Sequence, residues 1–338
     1  MPYQFQQETF MLTTIFYNLC NLLSTPYEKL NSISYNIDNL NSFILEEIYL
    51  KKLFYFKWRK NFNSLYDNFK FYYTYDILNE NSNFIKTKLN LKVFFTIEHL
   101  PNNIPSGCVY EYIVILERFH NKFKIQFLIE QEENPYLYNS ILKADLSKLT
   151  TLIFSTKQNS WINKLSCLEL LYQFFMTSIS STIIINNDQR KNSIFNITEA
   201  CSYAEAFALK PNPSYKYFEN IGGDCTNFIS QILIAGGLKQ THLWKPYTIP
   251  WIRVEDLYLY LTRQKLATKL PNKNSLSKGC IIQFYTPKAG RFFHTGFITY
   301  ELPNNDYLYC CHSYNKLNYP LSEIYPHRYP VIRCLKIN

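Results

Sequence analysis

Glycine is scarce in this chain and unevenly placed. Of eight glycines in 338 residues, only Gly107 lies before residue 220. The first part therefore has few positions that demand left-handed backbone. Nor does it have room for a glycine-rich phosphate loop. Later in the chain, Gly222-Gly223 lacks the Lys-Ser/Thr that such a loop requires. The nine cysteines include no Cys-x-x-Cys pair, and Cys310-Cys311 cannot supply zinc-finger spacing with His312. An odd number of scattered cysteines reads as reduced, mostly buried thiols in a reducing compartment, not as a disulfide framework. Neither a metal nor any other cofactor is implied. No apolar run reaches the length of a membrane span. Residues 10–23 are apolar, but Glu8 precedes them without Lys or Arg, and no small-residue cleavage site follows. They read as an amphipathic first helix, not a secretory signal. The expected location is therefore cytoplasmic or spore-interior. The net charge of +9 is diffuse, with no long basic run and no base-stacking module, so no nucleic-acid partner is expected.

Aromatic residues are abundant, with 29 Tyr and 26 Phe. The length suits roughly two domains. Residues 1–190 begin helical, at 10–23 and 43–66, where apolar residues recur at three and four spacing. The period then shortens toward two, predicting strands at 91–100, 109–118 and 123–130, with a hairpin turn at Phe119-His120-Asn121-Lys122. This is an α+β accessory domain, for which a cystatin-like cone is one form, and it carries no catalytic constellation. The polar run from Asn186 to Asn192 reads as the linker. His99, His120, His242 and His327 read as surface or packing residues.

Residues 191–338 hold the chemistry. Asn196-Ile197-Thr198-Glu199 is a cap with Glu at the third helical position. Ala200, Tyr203, Ala204, Phe207 and Ala208 give the following helix an apolar stripe, and Lys210-Pro211-Asn212-Pro213 ends it. Next comes Gly222-Gly223-Asp224-Cys225-Thr226-Asn227-Phe228-Ile229-Ser230-Gln231. Asp224 is a strong cap residue, so Cys225 is expected to open a helix. Phe228, Ile229, Ile232 and Leu233 would bury one face, and Gly236 or Gly237 would supply the left-handed stop. A helix start favours thiolate over thiol and offers N–H groups to an oxyanion. Gly222 and Gly223 leave space beside the sulfur.

The partner base is expected on a strand. Residues 279–285, 291–300 and 307–313 read as three strands, with His294 in the second and His312 in the third. A hairpin centred on any whole residue near Pro303 keeps the two histidines on one face. A two-residue loop at Asn304-Asn305 sets Asn315 opposite His294 instead. His294 would take the thiol proton and return it to the leaving amine. His312, or alternatively Asn315, would orient His294.

The string Gly-Asp-Cys-Thr-Asn-Phe-Ile-Ser-Gln, then Ala-Gly-Gly and His-Thr-Gly-Phe-Ile-Thr, resembles the bacterial putative amidase domain family. So does the upstream Ala200, Tyr203, Ala204 and Ala206 with Asn212-Pro213-Ser214-Tyr215. The resemblance covers about residues 195–338. That family is similar to NlpC-type and CHAP-type cysteine hydrolases of the papain-like fold, in which a Cys-bearing helix packs on an antiparallel sheet. The resemblance implies a cysteine amidase or peptidase acting on a peptide-like substrate, with a muropeptide as first candidate. It puts Cys225 at the nucleophile, His294 at the base and His312 at the third polar position. Asp224, Thr226, Asn227 and Asn315 would be supporting residues. Where papain has an oxyanion Gln, this chain has Glu219, so that donor must be the helix N–H groups or Asn227. A catalytically degenerate binding module and a Cys-His acyltransferase are the alternatives.

Overall fold

A computed structural model describes residues 2–32, 39–98, 100, 104–120, 122–146, 160–177 and 195–338. The linker expected at Asn186 to Asn192, Asn121 of the expected hairpin turn, and His99 lie outside the described residues. The chain divides into two compact units. One is Met1–Asn103 with Val109–Leu168; the other is Ile104–Cys108 with Glu169–Asn338.

The first unit holds α1 (Pro2–Ser24), α2 (Ser42–Asn61), β1 (Tyr66–Glu80), β2 (Phe84–Ile97), most of β3 (Ser106–Phe119), β4 (Lys122–Glu130), α3 (Pro135–Lys143) and α4 (Ser160–Ser166). β1 pairs antiparallel with β2, and β3 with β4. Phe16 of α1 stacks on Tyr75 of β1, with ring centroids 4.4 Å apart. Phe54 and Trp58 of α2 are fully buried and stacked. The unit is α+β, as expected, but the helix expected to reach residue 66 stops at Asn61. Phe62 caps it and Asn63 turns left-handed, at φ 50°. Tyr66 then opens β1, whose period-two alternation is masked by aromatic residues on both faces.

The second unit holds α5 (Leu168–Thr177, from its second residue), α6 (Ile197–Phe207), α7 (Cys225–Ala235), α8 (Ile249–Ile252) and α9 (Val254–Arg263). Its strands are β5 (Ala267–Leu270), β6 (Ile281–Thr286), β7 (Arg291–Glu301), β8 (Tyr307–Cys311), β9 (Lys316–Pro320) and β10 (Val331–Ile337). They run antiparallel in the order β9-β8-β7-β6-β10-β5. Gly107 and Cys108 add to the edge at β9. The helices bury Ala200, Ala204, Phe228, Ile229, Ile232 and Leu257 against Ile281, Phe297, Cys310 and Leu335. Asn196 Oδ1 accepts from the Glu199 N–H, which fixes the start of α6. Gly237, at φ 99°, provides the left-handed stop after α7.

A bulge sets the faces of β7. Near the turn, Tyr300 pairs with Leu308; one step on, Ile298 pairs with Tyr309, leaving Thr299 unmatched. The inserted residue changes the register. The β7–β8 pairing runs only to Phe297 and Cys310, and His312 lies in the turn after β8, so it does not sit opposite His294 in a strand.

All nine cysteines are free thiols, and every one except Cys167 is buried. Among the described residues, no helix is long and apolar enough to cross a membrane.

Candidate active site

Cys225 is the first residue of α7, and its side chain is buried, at 7% exposure. The Thr295 N–H donates to its sulfur. The sulfur therefore lies against the backbone of the residue that follows His294. The Thr226 hydroxyl is 3.8 Å away. Burial pushes the thiol up to about 11; the Thr226 hydroxyl and Thr295 N–H oppose this, while the charges of Glu219 and Asp224 add to it. The expectation of a ready-made thiolate is thus corrected. Loss of solvation outweighs what donors at a helix start return.

Asp224 precedes the helix but its side chain does not cap it. Its Oδ1 accepts from the Phe218 N–H at 2.9 Å and from Asn227 Nδ2 at 2.8 Å. Its Oδ2 lies 2.6 Å from His312 Nδ1, with both side chains 1% exposed. Its own N–H donates to Ser313 Oγ at 2.6 Å. The carboxylate is spent on holding the preceding loop and β8, not on the helix N–H groups. Those first N–H groups have no carbonyl within the helix to accept them.

His312 is also committed. Its Nε2 donates to the Phe207 carbonyl at 2.8 Å. A carbonyl only accepts, so this nitrogen carries its proton, and Nδ1 and the Asp224 carboxyl share a second one. The ring stacks on Phe228, 3.9 Å away and 8° from parallel, with Tyr217 edge-on at 5.8 Å. Both ring nitrogens are therefore occupied, and His312 does not orient His294. The reading of His312 as the orienting group fails because Asp224 and the Phe207 carbonyl take both of its ring nitrogens. The imidazole links the last carbonyl of α6 to the carboxylate before α7.

His294 is buried in β7, opposite Phe284. Its ring stacks on Phe284 at 5.5 Å and Tyr329 at 6.3 Å, and meets Tyr314 edge-on at 5.6 Å. Tyr314 follows Ser313, the residue that holds the Asp224 N–H. Thus β7 brings Thr295 to the sulfur, while the β8–β9 turn carries residues that touch Asp224 and His294. Asn315 in that turn hydrogen-bonds the Tyr217 hydroxyl.

The remaining polar residues of the Cys-Thr-Asn-Phe-Ile-Ser-Gln string are scaffold. Asn227 gives its amide hydrogens to Asp224 and the Lys216 carbonyl, and its Oδ1 accepts from Trp251 Nε1 at 2.7 Å. It has no donor left for an oxyanion, which leaves the helix N–H groups. Ser230 bonds both Trp244 and the Trp251 carbonyl. Gln231 accepts from Tyr203, which accepts from Asn212. Sequence reasoning found Tyr203 and Asn212 through the upstream string. It missed Tyr217 and Trp251, which lie outside any motif, and the role of Ser313, which accepts the Asp224 N–H.

Residues 195–334 match the family model described as "Putative amidase domain". The uncharacterized protein YjcM of Bacillus subtilis (strain 168) is 34% identical over 131 residues, which is 36% of this chain and 31% of the relative. The uncharacterized protein YhbB of the same organism is 33% identical over 109 residues, 28% of this chain and 34% of the relative. The chain thus spans about a third of the length of these curated relatives. No solved structure matches. The C-terminal segment, residues 195–334, carries a domain of the putative amidase family.

Proposed function

We propose that residues 195–338 form a cysteine amidase or peptidase that hydrolyses an amide bond in a peptide-like substrate. One observation carries this reading: the Cys225 sulfur at the start of α7 accepts the N–H of the residue beside His294. Cys225 is the nucleophile and His294 the base. Because burial keeps the sulfur as a thiol, its proton must leave during attack and not before it. His294 takes that proton as the sulfur bonds the carbonyl carbon. The first N–H groups of α7 hold the developing oxyanion. His294 then protonates the departing amine, and water cleaves the thioester to regenerate the thiol. His312 and Asp224 fix the loop that carries the nucleophile. In this reading the second unit is a papain-like hydrolase and the first a cystatin-like accessory unit. A peptidoglycan-derived stem peptide is the substrate class to try first.

A second reading is favoured by the same burial. A sulfur 7% exposed and held at about 11 suits an inert thiol in a domain that binds without cleaving. Iodoacetamide labelling of Cys225 across pH, read by peptide mass spectrometry in wild type and His294→Ala, separates the two. The hydrolase reading expects selective labelling that slows by tenfold or more, order of magnitude, without His294. It also expects Cys225→Ala to fold and lose all hydrolysis. A Cys225 indifferent to His294 would leave only the binding module.

A further inference from the structure

The loop between α6 and α7 carries more polar chemistry than positioning the helix requires. Tyr217 donates its hydroxyl proton to Glu219 Oε2 at 3.3 Å and receives the Asn315 amide. Asn315 Oδ1 is buried, with no hydrogen-bond partner among the described residues. A carboxylate, a phenol and an amide oxygen therefore lie along one short chain. Gly222, three residues after Glu219, is exposed, with nothing within 4 Å of where its Cβ would sit. The other groups nearby are engaged. Asp224 is taken by His312, Asn227 and the Phe218 N–H. The Lys216 ammonium lies over the Phe218 ring at 5.1 Å.

From this arrangement we infer that Tyr217, Glu219 and Asn315 form an ammonium subsite, so that the preferred substrate carries a protonated amine close to the scissile amide. An ammonium has three donors and no acceptor, which matches three oxygen acceptors of which one is charged. The subsite also gives a reason for Glu219. Its charge reaches Cys225 and opposes ionisation of the nucleophile. A bound cation offsets that charge, so the substrate itself eases loss of the thiol proton. By linkage, thiolate formation and cation binding then favour each other. This last step rests on reading Cys225 as the nucleophile; the subsite itself does not.

The test uses the full chain and propylammonium chloride, with sodium chloride at equal ionic strength as control. The Asn315 side-chain amide, isotopically labelled, reports binding by NMR, and Cys225 alkylation reports the effect on sulfur. Saturable Asn315 shifts are expected with propylammonium only, and they disappear in Glu219→Gln. The alkylation midpoint is expected to fall by roughly half a pH unit in wild type and not in Glu219→Gln. No saturable shift in wild type, or the same shift in Glu219→Gln, overturns the subsite. Saturable shifts with an unlabelled Cys225 uphold the subsite and overturn the nucleophile reading instead.

Discussion

A carboxyl group buried at the β7–β8 turn makes the case for single residues. Asp306 is fully buried; its Oδ1 accepts from the Tyr307 and Ser322 N–H groups, and its Oδ2 from the Ser322 hydroxyl. Burial raises it from 3.8 to about 6, against the pull of those donors and of Lys273. Lys273 is lowered to about 8, also by burial, with Asp306 opposing. For Asp306 the folded state binds the proton more tightly than the unfolded chain. Its contribution is therefore complete below about pH 4 and is lost as pH rises through about 6. Urea midpoints of wild type and Asp306→Asn should diverge over that window by an amount on the order of 2–3 kcal/mol. Parallel pH profiles for the two proteins would contradict this assignment.

At the scale of elements, β7 decides the site. Gly296 on that strand has no room for a side chain: a Cβ there would sit 2.7 Å from Tyr309 Cδ2. Gly296→Ala should destabilise the second unit by about 1–3 kcal/mol, measured by chemical denaturation, because it overpacks the sheet. Much around β7 was legible in the sequence. The start of α6 follows from the Asn196 cap and the end of α7 from Gly236-Gly237, which are local chemistry; α7 starts at Cys225 as expected, but without the side-chain cap expected of Asp224. β6, β7 and β8 were legible as strand-like runs, the last ending at Cys311 and not at Ser313. The fate of His312 does not follow, because its partners, Asp224 and the Phe207 carbonyl, are distant in sequence and are brought to it only by the fold. Nor could the sequence give the thiol's state, which depends on how much water the folded chain removes from Cys225. β1 was hidden by Tyr and Phe on both of its faces. β9 is short, and β10 carries Arg333 on a buried face, bonded to Gln283 and Glu255.

At the scale of the molecule, the second unit is larger than its matched segment. The match begins at residue 195, yet the unit also takes Ile104–Cys108 and most of α5. Asn318 donates to the Pro105 carbonyl, and Gly107 and Cys108 pair with β9. Phe175 of α5 is buried, 3.6 Å from the Lys273 ammonium. A fragment of residues 195–338 loses all of these. It should melt at least about 5 °C below the second unit of the whole chain in calorimetry; equal melting would mean that the added segments hold nothing. The distribution of thiols has a further, practical consequence. Cys167 alone faces solvent, so it is the sulfur that air reaches first. On prolonged storage without reductant, the chain should accumulate one covalent dimer band on a non-reducing gel. Cys167→Ser should remove that band, while the eight sealed thiols age slowly.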